Sequence, residues 1–207
     1  MKTVYLSFIF LISIISNKLN AQVSIAPNMG VNISKSLFTE YFFPTKYSTY
    51  FYGGAIVKYN ISEKLAIQTA LQYSQKGYHK EAGDFEVLLP EVRYSYLDIQ
   101  PTIEFKVIDF IGIYGGINYG IKLKEEYKFP GSDWFNGSNN KTIKDYDFGG
   151  LLGIRYYYNN FFINAQYNQS FLNISTLHFT DAQGNEKDYA SQKNSTFQFG
   201  VGYFFRL

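Results

Sequence analysis

Apolar and polar residues alternate along most of the chain after its first twenty or so residues. In residues 65–74, with the sequence LAIQTALQYS, odd positions apart from Thr69 are apolar or aromatic and even positions are small or polar. The same rhythm occupies residues 96–105 and 197–207. Because successive side chains of a strand point to opposite faces, a period of two over such lengths predicts strands with two chemically different faces.

Eight segments of the chain follow this pattern. Each is about a dozen residues long, whereas strands of globular proteins average about five to six, and a dozen residues can cross a bilayer at a tilt. The predicted strands are residues 23–34, 50–61, 64–76, 94–107, 110–124, 145–158, 161–172 and 195–207.

The connections between these strands alternate between short and long. Short turns are predicted at residues 62–63, 108–109 and 159–160, and long polar connections at residues 35–49, 77–93, 125–144 and 173–194. Outer-membrane barrels have short periplasmic turns and longer extracellular loops. The sequence therefore predicts an all-β fold, an eight-stranded antiparallel up-and-down transmembrane β-barrel.

The two faces of the strands differ in composition. One face is aliphatic, as at Ile67, Leu71 and Leu152, and the other is dominated by Gly, Asn, Gln and Ser. A polar face that met water would be rich in Lys and Glu, whereas small and amide side chains suit the filled interior of a narrow barrel. We therefore expect the aliphatic face to meet lipid. A soluble, lipocalin-like ligand carrier, which needs the opposite assignment, is a less favoured alternative.

Aromatic residues on the outward face gather near both ends of the strands. Such rings are at home at the two water interfaces of a bilayer, so they predict two aromatic girdles. The predicted girdle residues are Phe51, Tyr73, Tyr146, Phe171 and Phe197 near the long connections, and Tyr59, Phe105, Tyr156, Phe161 and Phe205 near the short turns.

Nine charged residues on the inward face form a predicted lumen charge network at two heights. Those near the short turns are Lys58, Glu104, Lys106, Arg155 and Arg206, and those nearer the long connections are Lys76, Asp98, Lys122 and Asp147. Since buried charges must be paired, we expect Glu104 to contact Lys58, Arg155 and Arg206. The two aspartates should contact Lys76 and Lys122. Such pairs would plug the lumen.

Pro101 interrupts the fourth predicted strand. A closed barrel has no edge strand at which a missing N–H group is harmless. We therefore expect a local bulge at this proline.

The segment 1–21 has the features of a secretory signal peptide. Lys2 supplies a positive start, an apolar stretch of about a dozen residues follows, and Ala21 precedes the predicted cleavage site. The barrel domain is then residues 22–207. Removing Lys2 and Lys18 reduces 19 basic residues to 17, which equals the 17 acidic ones, so nothing in the charge favours nucleic acid.

The composition limits the available chemistry. The absence of Cys excludes disulfides and thiol chemistry, and we expect no cofactor and no metal. Imidazole chemistry has two candidates, His79 and His178. His79 with Ser74 and either Glu81 or Asp84 could form a Ser/His/acid set, so an outer-leaflet lipid A-modifying enzyme of the deacylase or acyltransferase type is an alternative.

Several motifs resemble the PorT-type outer-membrane β-barrel family of Bacteroidetes-like bacteria, which has an OmpA/OmpX-like barrel architecture. They are GVNIS at residues 30–34, the stretch 65–77 ending in LQYSQKG, YLDI at 96–99 with Pro101 nearby, and the glycines of 148–153. In that family the proline commonly follows the YLxI group directly, whereas Gln100 intervenes here. The resemblance covers the mature chain and implies an accessory role in protein secretion.

The expected function is that of a non-enzymatic integral outer-membrane barrel, monomeric and plugged by its side chains. It would act as an envelope structural or anchor protein, or as an accessory of secretion through its extracellular loops. The expected partners are the lipid bilayer, lipopolysaccharide and other envelope or secretion proteins, with no nucleic acid. Trp134, in a long connection, either contacts such a partner or stabilises its own loop.

Overall fold

The computed structural model describes residues 22–38, 45–80, 90–129, 131–137, 143–180 and 186–207. Side chains are described for all of these except residues 80, 176–180 and 186–190. The predicted signal segment, residues 1–21, therefore lies outside the described residues, as do Glu81 and Asp84. Of His178 only the backbone is described. Within the described part of the chain, no helix is long and apolar enough to cross a membrane.

Every regular element within these described ranges is a strand. The strands are β1 (Val23–Phe38), β2 (Thr45–Lys46), β3 (Ser48–Asn60), β4 (Leu65–Lys80), β5 (Glu91–Ile108), β6 (Ile111–Lys128), β7 (Phe135–Asn136), β8 (Tyr146–Tyr158), β9 (Phe161–Ser170), β10 (Ser175–Thr180), β11 (Glu186–Tyr203) and β12 (Phe205–Arg206).

Eight long strands form a closed wall in which each pairs antiparallel with the next along the chain. Their order is β1, β3, β4, β5, β6, β8, β9 and β11, and β11 pairs with β1 to close the barrel. The closing ladder runs from Asn28 opposite Gly202 to Phe38 opposite Gln192, and β12 continues it with Arg206 opposite Ser24. The predicted eight-stranded antiparallel barrel is confirmed.

Except for β8 and β9, the long strands extend further toward the long connections than the sequence pattern indicates. β4 continues to Lys80 instead of residue 76, and β11 begins at Glu186 instead of residue 195. Short strands pair with these extensions, β2 with β4, β7 with β6 and β10 with β11. Beyond the barrel wall both faces of a ribbon can meet water, so the alternation of apolar and polar residues disappears there.

The two faces of the wall are sorted as the composition predicts. Leu152 is 64% exposed on the outside of the barrel, whereas Gln68, Gln72 and Asn164 are buried inside it. This places the aliphatic face outward and the amide face inward. The soluble carrier, which needs the opposite sorting, is therefore not supported.

The expected bulge at Pro101 is not observed. Ile99 faces Tyr119 and Thr102 faces Gly116, so β5 keeps one register on both sides of the proline. The register shifts of this pair lie instead at Ser95/Tyr96 and at Lys106/Ile108. The prediction was wrong because β5 leaves Gln100 and Pro101 unpaired with β6 without adding a residue. The strands approach closely here, since a Cβ at Gly116 would lie 2.1 Å from the Pro101 carbonyl oxygen.

Candidate functional site in the lumen and at the rim

A buried carboxylate organises the lumen near the short turns. Glu104 accepts hydrogen bonds from Lys58 Nζ, from Arg155 Nη1 at 2.6 Å and from the Tyr157 hydroxyl at 2.5 Å. Lys58 Nζ also donates to the Tyr157 hydroxyl at 2.7 Å. All three ion-pairing side chains are almost fully buried, so this is a desolvated cluster of two cations and one anion.

Small neighbours and aromatic rings hold this cluster in place. Gly112 lies beside Glu104, where a Cβ would come within 3.1 Å of the carboxylate carbon. The Arg155 guanidinium lies 4.7 Å from the ring centres of both Tyr114 and Phe162, and it donates to Gln68 Oε1 at 2.7 Å. Cation–π contacts and hydrogen bonds thus offset the loss of water around the guanidinium.

Arg206 and Lys106 do not join the carboxylate as expected. Arg206 is exposed, and among the described residues neither it nor Lys106 forms an ion pair with Glu104. The chain leaves the strand geometry at Phe204, whose buried ring packs on Phe162 at 4.9 Å and occupies the end of the lumen. Arg206 is consequently held at the rim, where it lines an open cavity of about 80 Å³ with Lys106.

A layer of amides fills the middle of the lumen. Gln100 donates to Asn118 Oδ1 at 2.9 Å, and Gln166 accepts from the Tyr114 hydroxyl at 2.9 Å and donates to Gln100 Oε1 at 3.2 Å. The cavity beside this layer measures about 20 Å³, which is space for little more than a water molecule. The sequence indicates these residues only as a polar face, without their network.

A second buried charge cluster lies on the other side of the amide layer. Lys76 Nζ is 3.1 Å from Asp98 and 3.8 Å from Asp147, and Asn194 donates to Asp147 Oδ2 at 3.0 Å. All of these side chains are buried. The two predicted aspartates and Lys76 are therefore brought together.

Lys122 lies outside this second cluster, contrary to expectation. Its Nζ bonds Glu125 at 3.1 Å and the Ile143 carbonyl oxygen at 2.8 Å. Lys122 pairs with Tyr96 across the ladder, and the fully buried Tyr96 ring fills the lumen at that level. No sequence pattern marks the register shift at Ser95/Tyr96. Glu125 falls in the predicted long connection 125–144, so it was not expected as a partner of Lys122.

An apolar cap covers the second cluster on the side of the long connections. It is a buried group contributed by β4, β5 and the segments that precede β8 and β10. Its members are Tyr78, Val92, Tyr94, Tyr96, Ile143 and Ile174. Among the described residues, ion pairs, amides and this cap thus follow one another along the lumen.

The ten predicted girdle residues lie on the outside of the barrel. Nine are exposed, and Tyr73 is half-buried with its hydroxyl donating to Ser95 at 2.8 Å. Near the long connections, Phe51 packs on Tyr73 with ring centres 5.6 Å apart, and Phe197 packs on Tyr167 at 4.9 Å. The rings form two groups at opposite ends of the strands.

At the rim near the long connections, His79 joins a serine and a glutamate that differ from the residues predicted for this set. His79 Nδ1 lies 2.7 Å from Ser48 Oγ, and Nε2 lies 2.9 Å from Glu91. The predicted Ser74 instead accepts from Asn32 Nδ2 at 3.0 Å inside the lumen, so its assignment to this set was wrong. The three residues come from β3, β4 and β5, and only the strand pairing brings them together.

Trp134 contacts its own chain at the rim. The Arg93 guanidinium lies 4.4 Å from the ring centre, and Arg93 bonds Glu126, which also accepts from Lys124 at 2.7 Å. Partial burial alone would raise the pKa of Glu126, but the hydrogen bonds from Lys124 and Arg93 hold it below its ordinary value. This arrangement fits the expectation that Trp134 stabilises its own loop.

Replacing Trp134 by Ala should loosen the β6–β7 ribbon without affecting the barrel. A cation–π contact at an exposed site contributes about 0.5–1 kcal/mol, so amide exchange in β7 should become about two to five times faster. Hydrogen exchange read by mass spectrometry measures this. Phe110→Ala, at the opposite end of the barrel, is the control. Unchanged exchange in β7 would show that Trp134 is not needed there.

Within the described part of the chain, no group of three or more His, Asp or Glu residues is placed to hold a metal ion. The charged clusters are internal ion pairs, and the Ser48, His79 and Glu91 group has the composition of a proton relay.

Comparison with known proteins identifies the architecture. The sequence profile of the family described as "outer membrane protein beta-barrel domain" matches residues 16–176. The fold is similar to Ail, the attachment invasion locus protein of Yersinia pestis, with a TM-score of 0.51, 15% identity, and 89% of this chain and 99% of Ail covered. Neisserial surface protein A gives a TM-score of 0.53 and 14% identity over 88% of this chain and 97% of its own.

A search of curated proteins found no match. At the identities above, the two structures show the shared fold alone. The family profile, however, spans well over half of the chain. The chain therefore belongs to the outer membrane protein beta-barrel domain family and is a β-barrel protein of the bacterial outer membrane.

Proposed function

We propose that the protein is a non-enzymatic outer-membrane barrel whose lumen is plugged by side chains, and that it acts as an envelope structural or anchor protein or as an accessory of secretion. The filled lumen is the observation that carries this proposal. Two buried charge clusters, an amide layer and an apolar cap follow one another along the barrel, and the cavities between them measure about 20 and 10 Å³. A barrel closed in this way has only its outer surface and loops for contact with partners.

The lipid-facing surface would be bounded by the two groups of aromatic rings. The short turns would face the periplasm and the long connections the exterior, with cleavage after Ala21 releasing the mature chain. Heat-modifiable migration of the membrane fraction on a gel tests this placement, since a folded transmembrane barrel resists detergent until it is boiled. Migration that is the same before and after boiling would contradict it.

An accessory role in secretion rests on the resemblance to the PorT-type family in the motifs quoted above, at residues 30–34 and 65–77 in particular. The strand extensions and the rim carry the surface on which secretion proteins or lipopolysaccharide would bind. Gene deletion followed by a survey of secreted proteins tests this role. We expect a secretion defect that the wild-type gene restores. An unchanged set of secreted proteins would contradict the secretion role and leave the structural one.

One observation favours a second candidate, an outer-leaflet lipid-modifying enzyme. Glu91 can accept the Nε2 proton of His79, which leaves Nδ1 free to accept the proton of Ser48 Oγ. The set lies close to the girdle residue Phe51, at the level where lipid headgroups would be. Against catalysis, Ser48 is only 9% exposed.

Lipid A analysis separates the two candidates. For the non-enzymatic barrel, mass spectrometry should show the same lipid A in cells with the gene, without it, and with Ser48→Ala. The control is Ser132→Ala, at an exposed loop position. A change in acylation that needs the gene, is lost with Ser48→Ala and persists with Ser132→Ala would contradict the non-enzymatic proposal and support the enzyme.

A further inference from the structure

The charge cluster nearer the extracellular side is not electrically balanced. It contains two carboxylates, Asp98 and Asp147, and one ammonium group, Lys76, each at most 2% exposed. The fourth member expected from the sequence, Lys122, is bound to Glu125 instead. The cluster therefore has a formal charge of −1 in a place where an uncompensated charge is costly.

The surrounding side chains do not supply the missing positive charge. Those contributed by β6, β9 and β11 around the cluster are neutral, namely Asn118, Asn168, Ser170, Asn194 and Thr196. Two groups carry an excess of positive charge, the Glu104 cluster with Lys58 and Arg155 and the rim group in which Arg93 and Lys124 bind Glu126, and among the described residues neither forms an ion pair with the two aspartates. From Asp98 to Glu104 is six residues along β5, or about 20 Å, and the amide layer lies between. Direct pairing across that distance does not occur.

A cavity beside the cluster has the right lining for a small cation. It measures about 10 Å³, close to the space of one water molecule, and both Asp147 and Asn194 line it. Within the described part of the chain, the buried oxygens Asp147 Oδ1 and Asn194 Oδ1 form no hydrogen bond of normal geometry, and the neighbouring group at the Asn194 side chain is the Tyr96 hydroxyl, which also lacks one. Because Asn194 Nδ2 donates to Asp147 Oδ2, the amide oxygen Oδ1 of Asn194 is the atom that can bind a cation. Carboxylate and amide oxygens are the ligands that hard cations prefer.

We propose that this cavity binds one monovalent cation, with Na⁺ as the probe ion, through Asp147 and Asn194. A single positive charge neutralises the cluster, whereas a divalent ion would leave it with an excess of +1. The apolar cap and the amide layer enclose the site, so the ion is taken up as the barrel forms. Bound sodium should consequently stabilise the folded barrel relative to the unfolded chain.

Urea unfolding of the refolded protein in detergent micelles tests this site. The medium contains EDTA and either sodium chloride or choline chloride at the same ionic strength, because choline is too large for the cavity. We expect the unfolding equilibrium constant to fall as sodium replaces choline, by about 100-fold when sodium reaches 100 times its dissociation constant. Equal unfolding in the two salts overturns the proposal.

Two variants locate the effect. Asp147→Asn removes the excess charge and should abolish the difference between sodium and choline. Asp145→Asn, whose side chain is 96% exposed, should keep it. A sodium effect that survives in Asp147→Asn overturns the assignment of the site. If lowering the pH stabilises the barrel in choline chloride and sodium has no effect, a proton neutralises the cluster and the sodium site is overturned.

A measurement on the wild type avoids dependence on a variant that fails to fold. The sodium retained by protein that was refolded at increasing sodium concentrations and then desalted, measured by atomic emission, should saturate at one ion per chain, and lithium but not choline present during refolding should prevent its uptake. Retained sodium no greater than that of empty micelles contradicts the proposal. Greater stabilisation by calcium than by sodium, measured without EDTA, contradicts the choice of a monovalent ion.

Discussion

Replacing Glu104 by Ala should lower the free energy of unfolding by about 3–5 kcal/mol, the range found when one partner of a buried ion pair is removed. The substitution leaves Lys58 and Arg155 as two buried cations without an anion, and it removes the acceptor of the Tyr157 hydroxyl. Urea titration of the protein refolded in detergent micelles measures the change.

Glu63→Ala is the matched control for this substitution. Glu63 is exposed in the turn between β3 and β4, so its loss should change the free energy of unfolding by less than about 0.5 kcal/mol. If Glu104→Ala and Glu63→Ala have the same effect, the buried cluster does not support the barrel in the way that its contacts indicate.

Replacing Leu152 by Arg should destabilise the barrel by about 2–4 kcal/mol in a lipid bilayer, because this residue faces outward near the middle of β8. A charge at the bilayer midplane loses its water, whereas one near an interface can reach it. Tyr158→Arg, at the turn end of the same strand, should cost only about 0–1 kcal/mol. Unfolding from lipid vesicles compares the two variants.

Equal costs for Leu152→Arg and Tyr158→Arg would mean that the outward face of β8 does not cross a hydrocarbon layer. Both side chains are more than 60% exposed in the structure, so a difference between them comes from the surrounding solvent and not from packing within the protein.

Much of the fold could be predicted from the sequence because a barrel that faces lipid and has a narrow interior needs strict alternation. Ile67 is apolar and lies on the outer face of the barrel, whereas Gln68 is polar and lies in the lumen. The strand ends could not be predicted in the same way. Beyond the membrane, at Lys80 or Glu186, both faces of a ribbon can meet water, and the signal disappears.

The ion pairs of the candidate site could be predicted where the position of a residue along its strand decides which charged side chains are in contact. Counting residues from the turns places Glu104 with Lys58 and Arg155, and Asp98 with Lys76. The pairing of Lys122 with Glu125 depends on a register shift in β5, and Arg206 is kept at the rim by the Phe204 ring. Both effects depend on contacts between strands, so the sequence of a single strand does not predict them. Ser48 and Glu91 meet His79 only through the pairing of separate strands.

Single-channel recording of the wild-type protein in a planar bilayer tests the filled lumen most directly. We expect no large, stable conductance, because ion pairs, amides and the apolar cap follow one another along the lumen. Glu104→Ala, recorded alongside, should show more frequent brief openings as Lys58 and Arg155 lose their anchor. A large and stable conductance in the wild type would contradict the plugged barrel.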